Sequence, residues 1–428
     1  MNRWIKSLAL VGMAFAICTV PSLKAQTLTA LHNFTGGADG SDPAAGLAQD
    51  SAGNLYGTTQ EGGNGPCVVN SSRVGCGVVF KMSREGSGWV FRTLYEFGGP
   101  PDGEYPLARV IVGPDGALYG TTSQGGAGSC LGQQGCGTVF KLQPPASFCR
   151  SFSCPWTETI LYSFSSRNDG FNLTGEVAFD HSGNLYGTTA NGGGGANCFD
   201  DGCGTVFELT PNGNGTWTKG TIYAFQGGTT DGNQPAAGVV VDQSDNLYGT
   251  TTYGGSTCES DGCGIVFQLT PHGSSWTETV LHSFQYTDGA APGQLSFDGS
   301  GNLWGPAADG GNNYGTIFEL TPLEGGGWHF VSQYSFNYGQ AEYPTTLTID
   351  PAGDIYGCTG RGGHNDGGEI FSLTPSSGGL NYTTLYSFGF GQSDYPVGKV
   401  VLDSEGNIYG TTLHGADPPY GTVWEFTP

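Results

Sequence analysis

Asn246-Leu247-Tyr248-Gly249-Thr250-Thr251 is one of seven near-copies of a single hexapeptide. The others are Asn54–Thr59, Ala117–Thr122, Asn184–Thr189, Asn302–Ala307, Asp354–Thr359 and Asn407–Thr412. Their central aromatics (Tyr56, Tyr119, Tyr186, Tyr248, Trp304, Tyr356 and Tyr409) recur roughly every 50–65 residues, the interval expected of propeller blades. Alternation along a strand points Leu247 one way and Tyr248 the other, and both are apolar. Burial on both sides suits sheets packed face to face around a ring better than a sandwich with one wet face.

Outward from the hexapeptide, each unit reads as four short strands. Gly238–Asp242 typifies the first, the hexapeptide is the second, Gly204–Thr210 typifies the third and Glu278–Phe284 the fourth. All are rich in β-branched and aromatic residues and bounded by Gly, Asn, Asp and Pro. A turn of the pattern Asp-x-x-Gly-Asn joins the first two strands, as in Asp50–Asn54, Asp180–Asn184, Asp298–Asn302 and Asp403–Asn407. Its Asp is read as a structural acceptor of the turn's N–H groups and its Gly as a φ > 0 residue. Blade two departs, with Gly113 at the Asp position.

The fourth-type strand occurs at Leu28–Phe34, Phe91–Phe97, Glu158–Phe164, Lys219–Phe225, Glu278–Phe284, Phe330–Phe336 and Tyr382–Phe388. The array therefore starts on an outer strand and ends on a third strand, Gly421–Thr427. The expected architecture is all-β: a seven-bladed β-propeller with four antiparallel strands per blade, closed by Leu28–Phe34 pairing with Gly421–Thr427.

The repeated Leu-Tyr-Gly-Thr-Thr … Gly-Gly … Gly-Thr-Val-Phe-x-Leu-Thr-Pro unit resembles the GloVer tandem repeat of exported bacterial "choice-of-anchor" proteins, over essentially everything after the first 25 residues. The resemblance implies an exported propeller and carries over no catalytic residue. Members often end in a sorting or anchoring segment, and none is recognised here.

Residues 1–25 have a signal-peptide layout: Arg3 and Lys6, then the apolar run Leu8–Val20, then a small residue at Ala25, after which cleavage is expected. Residues 26–428 then form one propeller domain, secreted or periplasmic and monomeric. Loss of Arg3, Lys6 and Lys24 takes the formal charge from −23 to about −26. Such a field repels phosphate backbones and anionic membranes, so nucleic acid is excluded as a partner. Ten of the 12 cysteines form close pairs, Cys67 with Cys76, Cys130 with Cys136, Cys149 with Cys154, Cys198 with Cys203 and Cys258 with Cys263, read as local disulfides of an oxidising compartment. Loops this short gain about 2 kcal/mol each in the chain-entropy model. Zinc is disfavoured because no His accompanies them at finger-like spacing. Cys358 replaces the first Thr of its hexapeptide and is expected to be a buried free thiol.

Variation concentrates in the loops joining strand two to three and strand four to the next blade's first strand, which share one face in a propeller. Four residues before the turn Asp, at the mouth of the central channel, stand Gly46, Arg109, Glu176, Gly238, Gln294, Thr346 and Lys399. Two of the few basic residues at that mouth suggest a bound anion, a water network or a substrate carboxylate, unless Arg109 and Glu176 simply pair with each other. Tyr105, Phe171, Tyr343 and Tyr395 occupy the four-to-one loops, three of them beside Glu104, Glu342 or Asp394. A ring next to a carboxylate suits a sugar, although tyrosines also pack loops against their own blade. Arg361, His364 and His414 form a third group on the same face.

The expected function is a non-catalytic binding or scaffold propeller, recognising polysaccharide or a cell-surface protein through this face. The alternative is a glycan-active hydrolase or lyase at the channel mouth, with Glu176 as catalytic candidate and an acid such as Glu104 as its partner. No serine-elbow, metal or cofactor signature accompanies it. The acidic loops admit a structural calcium ion, without any Asp-x-Asp-x-Asp loop to hold it.

Overall fold

In the computed structural model, residues 26–428 are described except 131–132, 146–154, 196, 199–200, 257, 259–260, 390, 392 and 416–418. The leader expected at residues 1–25 lies outside the described residues, and so do Cys149 and Cys154. Seven antiparallel sheets follow one another around a ring, each with its strands in the order read from the sequence. Blade 3 is representative, with Ala178–Phe179 innermost, then Leu185–Thr189, Thr205–Pro211 and Trp217–Ala224 outermost. Blade 5 differs in splitting its inner edge into Ala290–Pro292 and Ser296–Phe297, both paired with Leu303–Asp309.

Closure occurs where the chain ends meet. Thr27–Asn33 pairs with Thr422–Thr427 in the register Leu28↔Phe426, Ala30↔Trp424 and His32↔Val423, completing the blade whose other strands are Asp394–Leu402 and Ile408–His414. The ladder between third and outer strands carries a bulge at the same place in all seven blades, for example between Val79 and Phe80 and between Ala30 and His32. The extra residue adds twist at each outer strand.

The hexapeptide explains the packing. Its Tyr or Trp donates to the turn Asp: Tyr56, Tyr186, Tyr248 and Tyr409 each place their hydroxyl 2.8–3.1 Å from Asp50, Asp180, Asp242 and Asp403, and Trp304 does so through Nε1 to Asp298. The same carboxylates take the turn's N–H groups, as Asp50 does from Ala52 and Asn54. In blade 2 the missing acid is supplied two residues later by Asp115, which accepts from Tyr119 and ion-pairs with Lys141.

The Gly after the aromatic is required by a close approach. A Cβ on Gly57 would lie 2.4 Å from Cζ of Phe80. That Phe belongs to a series crossing every joint: Phe34–Phe80, Phe97–Phe140, Phe164–Phe207, Phe225–Phe267, Phe284–Phe318, Phe336–Phe371 and Phe388–Trp424, at centroid distances of 5.1–5.8 Å, edge-on or tilted. Each such pair is worth about 0.5–1.5 kcal/mol beyond the area it buries. The first Thr then clips blade to blade: Thr58, Thr121, Thr188 and Thr250 donate to the carbonyls of Ala108, Gly175, Ala237 and Gly293 on the next inner strand.

Candidate ligand-binding face and channel

Above each inner hairpin, a short antiparallel bridge carries the chain onto the face where the two-to-three and four-to-one loops meet. The bridged residues are Ser41↔Glu61, Glu104↔Gln124, Phe171↔Asn191, Asn233↔Tyr253, Ala290↔Asp309, Glu342↔Arg361 and Asp394↔His414. The next residue is left-handed at all seven joints: Asp42, Tyr105, Asn172, Gln234, Ala291, Tyr343 and Tyr395 have φ between 50° and 61°. None is Gly, so every joint stores strain of order 1 kcal/mol. Backbone bonds on both sides hold it, as where Tyr105 N–H donates to Cys76 and its carbonyl accepts from Ser123. Three side-chain positions thus vary freely on a backbone that does not.

Tyr105, Tyr343 and Tyr395, picked out from the sequence beside an acid, occupy this same left-handed position. Their exposure differs. Tyr343 is 37% exposed, whereas Tyr105 is buried, and so is Phe171. The expectation of an exposed ring beside a carboxylate therefore fails at Tyr105; Phe171, which stands directly beside no acid, is likewise packed into the core of its joint.

Arg361 joins Tyr343 to Tyr395. Its guanidinium lies 5.9 Å and 5.6 Å from the two ring centroids, and Nε donates to the Tyr395 hydroxyl at 2.9 Å. The Tyr395 ring stands edge-on to His414 at 5.2 Å, and His414 Nδ1 is 2.8 Å from the buried carboxylate of Asp394. His364 is exposed and has no part in this arrangement.

Glu104 is buried, and burial pushes its carboxyl up. It lies 2.8 Å from Cys67 Sγ, but the Cys67 and Cys76 sulfurs are joined in a disulfide and are not thiolate ligands, so this trio does not make a metal site. Of the five bridges expected from the sequence, Cys130–Cys136, Cys198–Cys203 and Cys258–Cys263 are also bonded. The remaining one, between Cys149 and Cys154, is not among the described disulfides, because both Cys149 and Cys154 lie outside the described residues. Cys358 is free and buried, as its isolated place in the sequence implies. Every described disulfide staples a two-to-three loop of blades 1–4.

Below the rim, all seven blades line a cavity of about 340 Å³ in the channel. Six of the seven positions read from the sequence as its mouth do so: Arg109, Glu176, Gly238, Gln294, Thr346 and Lys399. Gly46, the seventh, has φ +74° and sits so close to the Lys399 backbone that a Cβ would fall 2.4 Å from its nitrogen. Its role is to bring blades 7 and 1 together beside Lys399.

Arg109 Nε donates to Glu176 Oε2, so the two pair with each other across adjacent blades. Burial works to raise the Glu176 carboxyl, but Arg109 and Lys399 overcome it and hold the group below the usual carboxylate range. Burial and the like charge of Arg109 push the Lys399 ammonium below the usual lysine range. Arg109 and Lys399 also line a second cavity of about 780 Å³ that reaches Asp350 and Asp403 in the turns. Arg109 and Lys399 therefore border both cavities.

Sequence comparison matches the Gloeobacter/Verrucomicrobia repeat over residues 12–152 and 256–428. No curated protein matches the chain in sequence. Among solved structures, a catalytically inactive virginiamycin B lyase from Staphylococcus aureus with quinupristin aligns at a TM-score of 0.56 and 13% identity, over 94% of this chain and 99% of that one. A putative 6-phosphogluconolactonase from Bacteroides uniformis aligns at 0.50 and 14% identity, over 81% and 87%. At such identities the likeness concerns the fold alone.

Proposed function

The chain belongs to the Gloeobacter/Verrucomicrobia repeat family, and on that premise we propose an exported, non-catalytic binding propeller that recognises carbohydrate through the face bearing the two-to-three and four-to-one loops. The observation that carries this reading is where exposed rings fall. Of the six exposed tyrosines among the described residues, Tyr253, Tyr286, Tyr338, Tyr343 and Tyr420 lie in those two loop classes, while the sixth, Tyr386, lies on the outer strand Gly379–Gly389. They cluster on blades 4–7, away from most of the stapled loops. No exposed Phe or Trp accompanies them among the described residues. A tyrosine offers an apolar ring to sugar C–H groups and a hydroxyl to sugar oxygens, which favours a glycan over a greasy protein patch.

Export draws support from the four described disulfides, which persist in oxidising compartments. No helix among the described residues is long and apolar enough to cross a membrane. A monomer with several weak glycan contacts gains strength from their number. The hydrolase or lyase alternative draws no support from Glu176: a general acid needs a raised pKa, and this carboxyl is lowered and bound to Arg109.

The test is retention on a panel of immobilised glycans by the protein lacking residues 1–25, against Tyr343→Ala and Tyr253→Ala variants. Retention by the parent that falls several-fold in each variant is expected. A parent that passes through every glycan column, or variants held as tightly as the parent, defeats the carbohydrate reading.

A further inference from the structure

The channel charges do not balance. Arg109 is spent on Glu176, and among the described residues Lys399 forms no ion pair with a carboxylate. Its ammonium has three N–H donors, and its one hydrogen bond is to Ser296 Oγ at 3.1 Å. In a chain of formal charge −23 this leaves a local excess of one positive charge in a narrow passage. An ammonium desolvated to that degree is costly unless something compensates it.

Two further polar groups in the same cavity lack good partners. Gln294 is more than nine-tenths buried, and its side-chain amide makes a single long contact of 3.4 Å to the Leu295 carbonyl. Thr345 Oγ1 is buried with no hydrogen-bond partner among the described residues. Lys399, Gln294 and Thr345 belong to blades 7, 5 and 6, so these groups share one wall of the channel. The rest of the lining is largely small: Ala45, Ala108, Ala237 and Gly238 come from blades 1, 2 and 4. Buried polar groups of native proteins find partners, in protein, water or ligand.

We propose that this cavity is a binding site for a small hydroxylated carboxylate of the size of a sugar acid. Its carboxylate accepts from the N–H donors of Lys399 Nζ that Ser296 leaves unused, and its hydroxyls satisfy Gln294 and Thr345. The Arg109–Glu176 pair closes the opposite side and sets the depth to which the ligand enters. About 340 Å³ is at the small end of ligand sites and suits a monosaccharide-sized molecule. The acid of the pair serves to hold Arg109 and takes no part in proton transfer. This inference is independent of the loop tyrosines, because a small anion below the rim does not require a glycan across it.

Thermal melts and titration calorimetry with D-gluconate, acetate and D-glucose test it. Gluconate is expected to raise the melting temperature in proportion to the logarithm of its concentration, acetate less, and glucose not at all. Lys399→Met should weaken gluconate binding about tenfold or more, as loss of a charged hydrogen bond requires, while leaving the ligand-free fold at least as stable by melting and circular dichroism. Gln294→Leu should weaken it less. No response to either anion, an undiminished response in Lys399→Met, or a glucose response equal to that of gluconate overturns the site. Glycan retention is measured separately on the unmodified protein. A protein that holds glycan yet ignores gluconate therefore refutes the anion site alone.

Discussion

Replacing Glu158 and Glu278 with Gln should stabilise the protein above neutral pH and leave it unchanged in mild acid. Both residues sit on outer strands, in blades 2 and 4, and face the loop acid of the preceding blade. Glu158 meets Asp102, which already accepts from Tyr95 and Gly98, and Glu278 meets Asp231, which accepts from Tyr223 and Gln226. Each glutamate has one buried oxygen with no partner among the described residues. Burial first, and then the neighbouring Asp charge, push both carboxyls up from 4.5 to about 7. The joint between these two shows what a matched pair looks like: Lys219 stands in the corresponding place and bonds Asp169 at 2.8 Å.

A shift of that size formally corresponds to about 3 kcal/mol per site, and partial solvation reduces it to about 1–2. The sign follows from linkage. The folded pKa lies above the unfolded one, so the proton's contribution is complete below about pH 4.5 and is lost as pH rises through about 7. The double variant should therefore exceed the parent by roughly 2–4 kcal/mol near pH 8 and match it near pH 4.5, allowing for incomplete additivity. Thermal or urea melts of both proteins across that range read the difference, in which the general effect of net charge cancels. A double variant no more stable than the parent near pH 8, or equally stabilised at both ends, refutes the reasoning.

Removing a blade clip by Thr188→Val should cost about 1–2 kcal/mol, because the Ala237 carbonyl 2.8 Å away loses its buried donor; a urea midpoint equal to the parent's would contradict it. Burial pushes the Cys358 thiol far up, so iodoacetamide should modify it only after unfolding, as read by peptide mass mapping. Deleting residues 26–33 should open the ring and expose the Thr422–Thr427 edge, shifting the protein toward aggregate on size exclusion. A monomeric, cooperatively melting deletion variant would show that the joint between blades 7 and 1 does not depend on this strand.

The parts of the protein legible in the sequence are those that repeat for a physical reason. Tyr248 must reach Asp242, Gly249 must admit Phe267 and Thr250 must cross to Gly293, so each recurs and the blade count can be read from them. Strand order and closure followed, because an unpaired outer strand at one end and an unpaired third strand at the other have one economical resolution. The candidate site was only half legible. Arg109, Glu176 and Lys399 stood out as charges where Gly or a neutral residue is otherwise found, and the structure places them in one cavity. Thr345 did not stand out, since a Thr is unremarkable in any strand and its lack of a partner among the described residues exists only in three dimensions.

The rim shows a subtler limit. Asp42, Tyr105, Asn172, Gln234, Ala291, Tyr343 and Tyr395 share one left-handed backbone, yet only Asn and Asp among them carry a local preference for it. A position that is conformationally fixed but chemically free leaves no compositional trace, and Gly, which would relieve the strain, occurs at none of the seven. The fold thus accepts strain of about 1 kcal/mol at every joint to keep a side chain there. Ala291→Gly should therefore stabilise the protein by up to about 1 kcal/mol with no effect on binding, because Ala presents almost nothing to a ligand. Tyr343→Gly should relieve the same strain but abolish the ring contact, separating the two roles in one pair of melts and retention assays. Equal retention by Tyr343→Gly and the parent would mean that the strained ring serves packing alone.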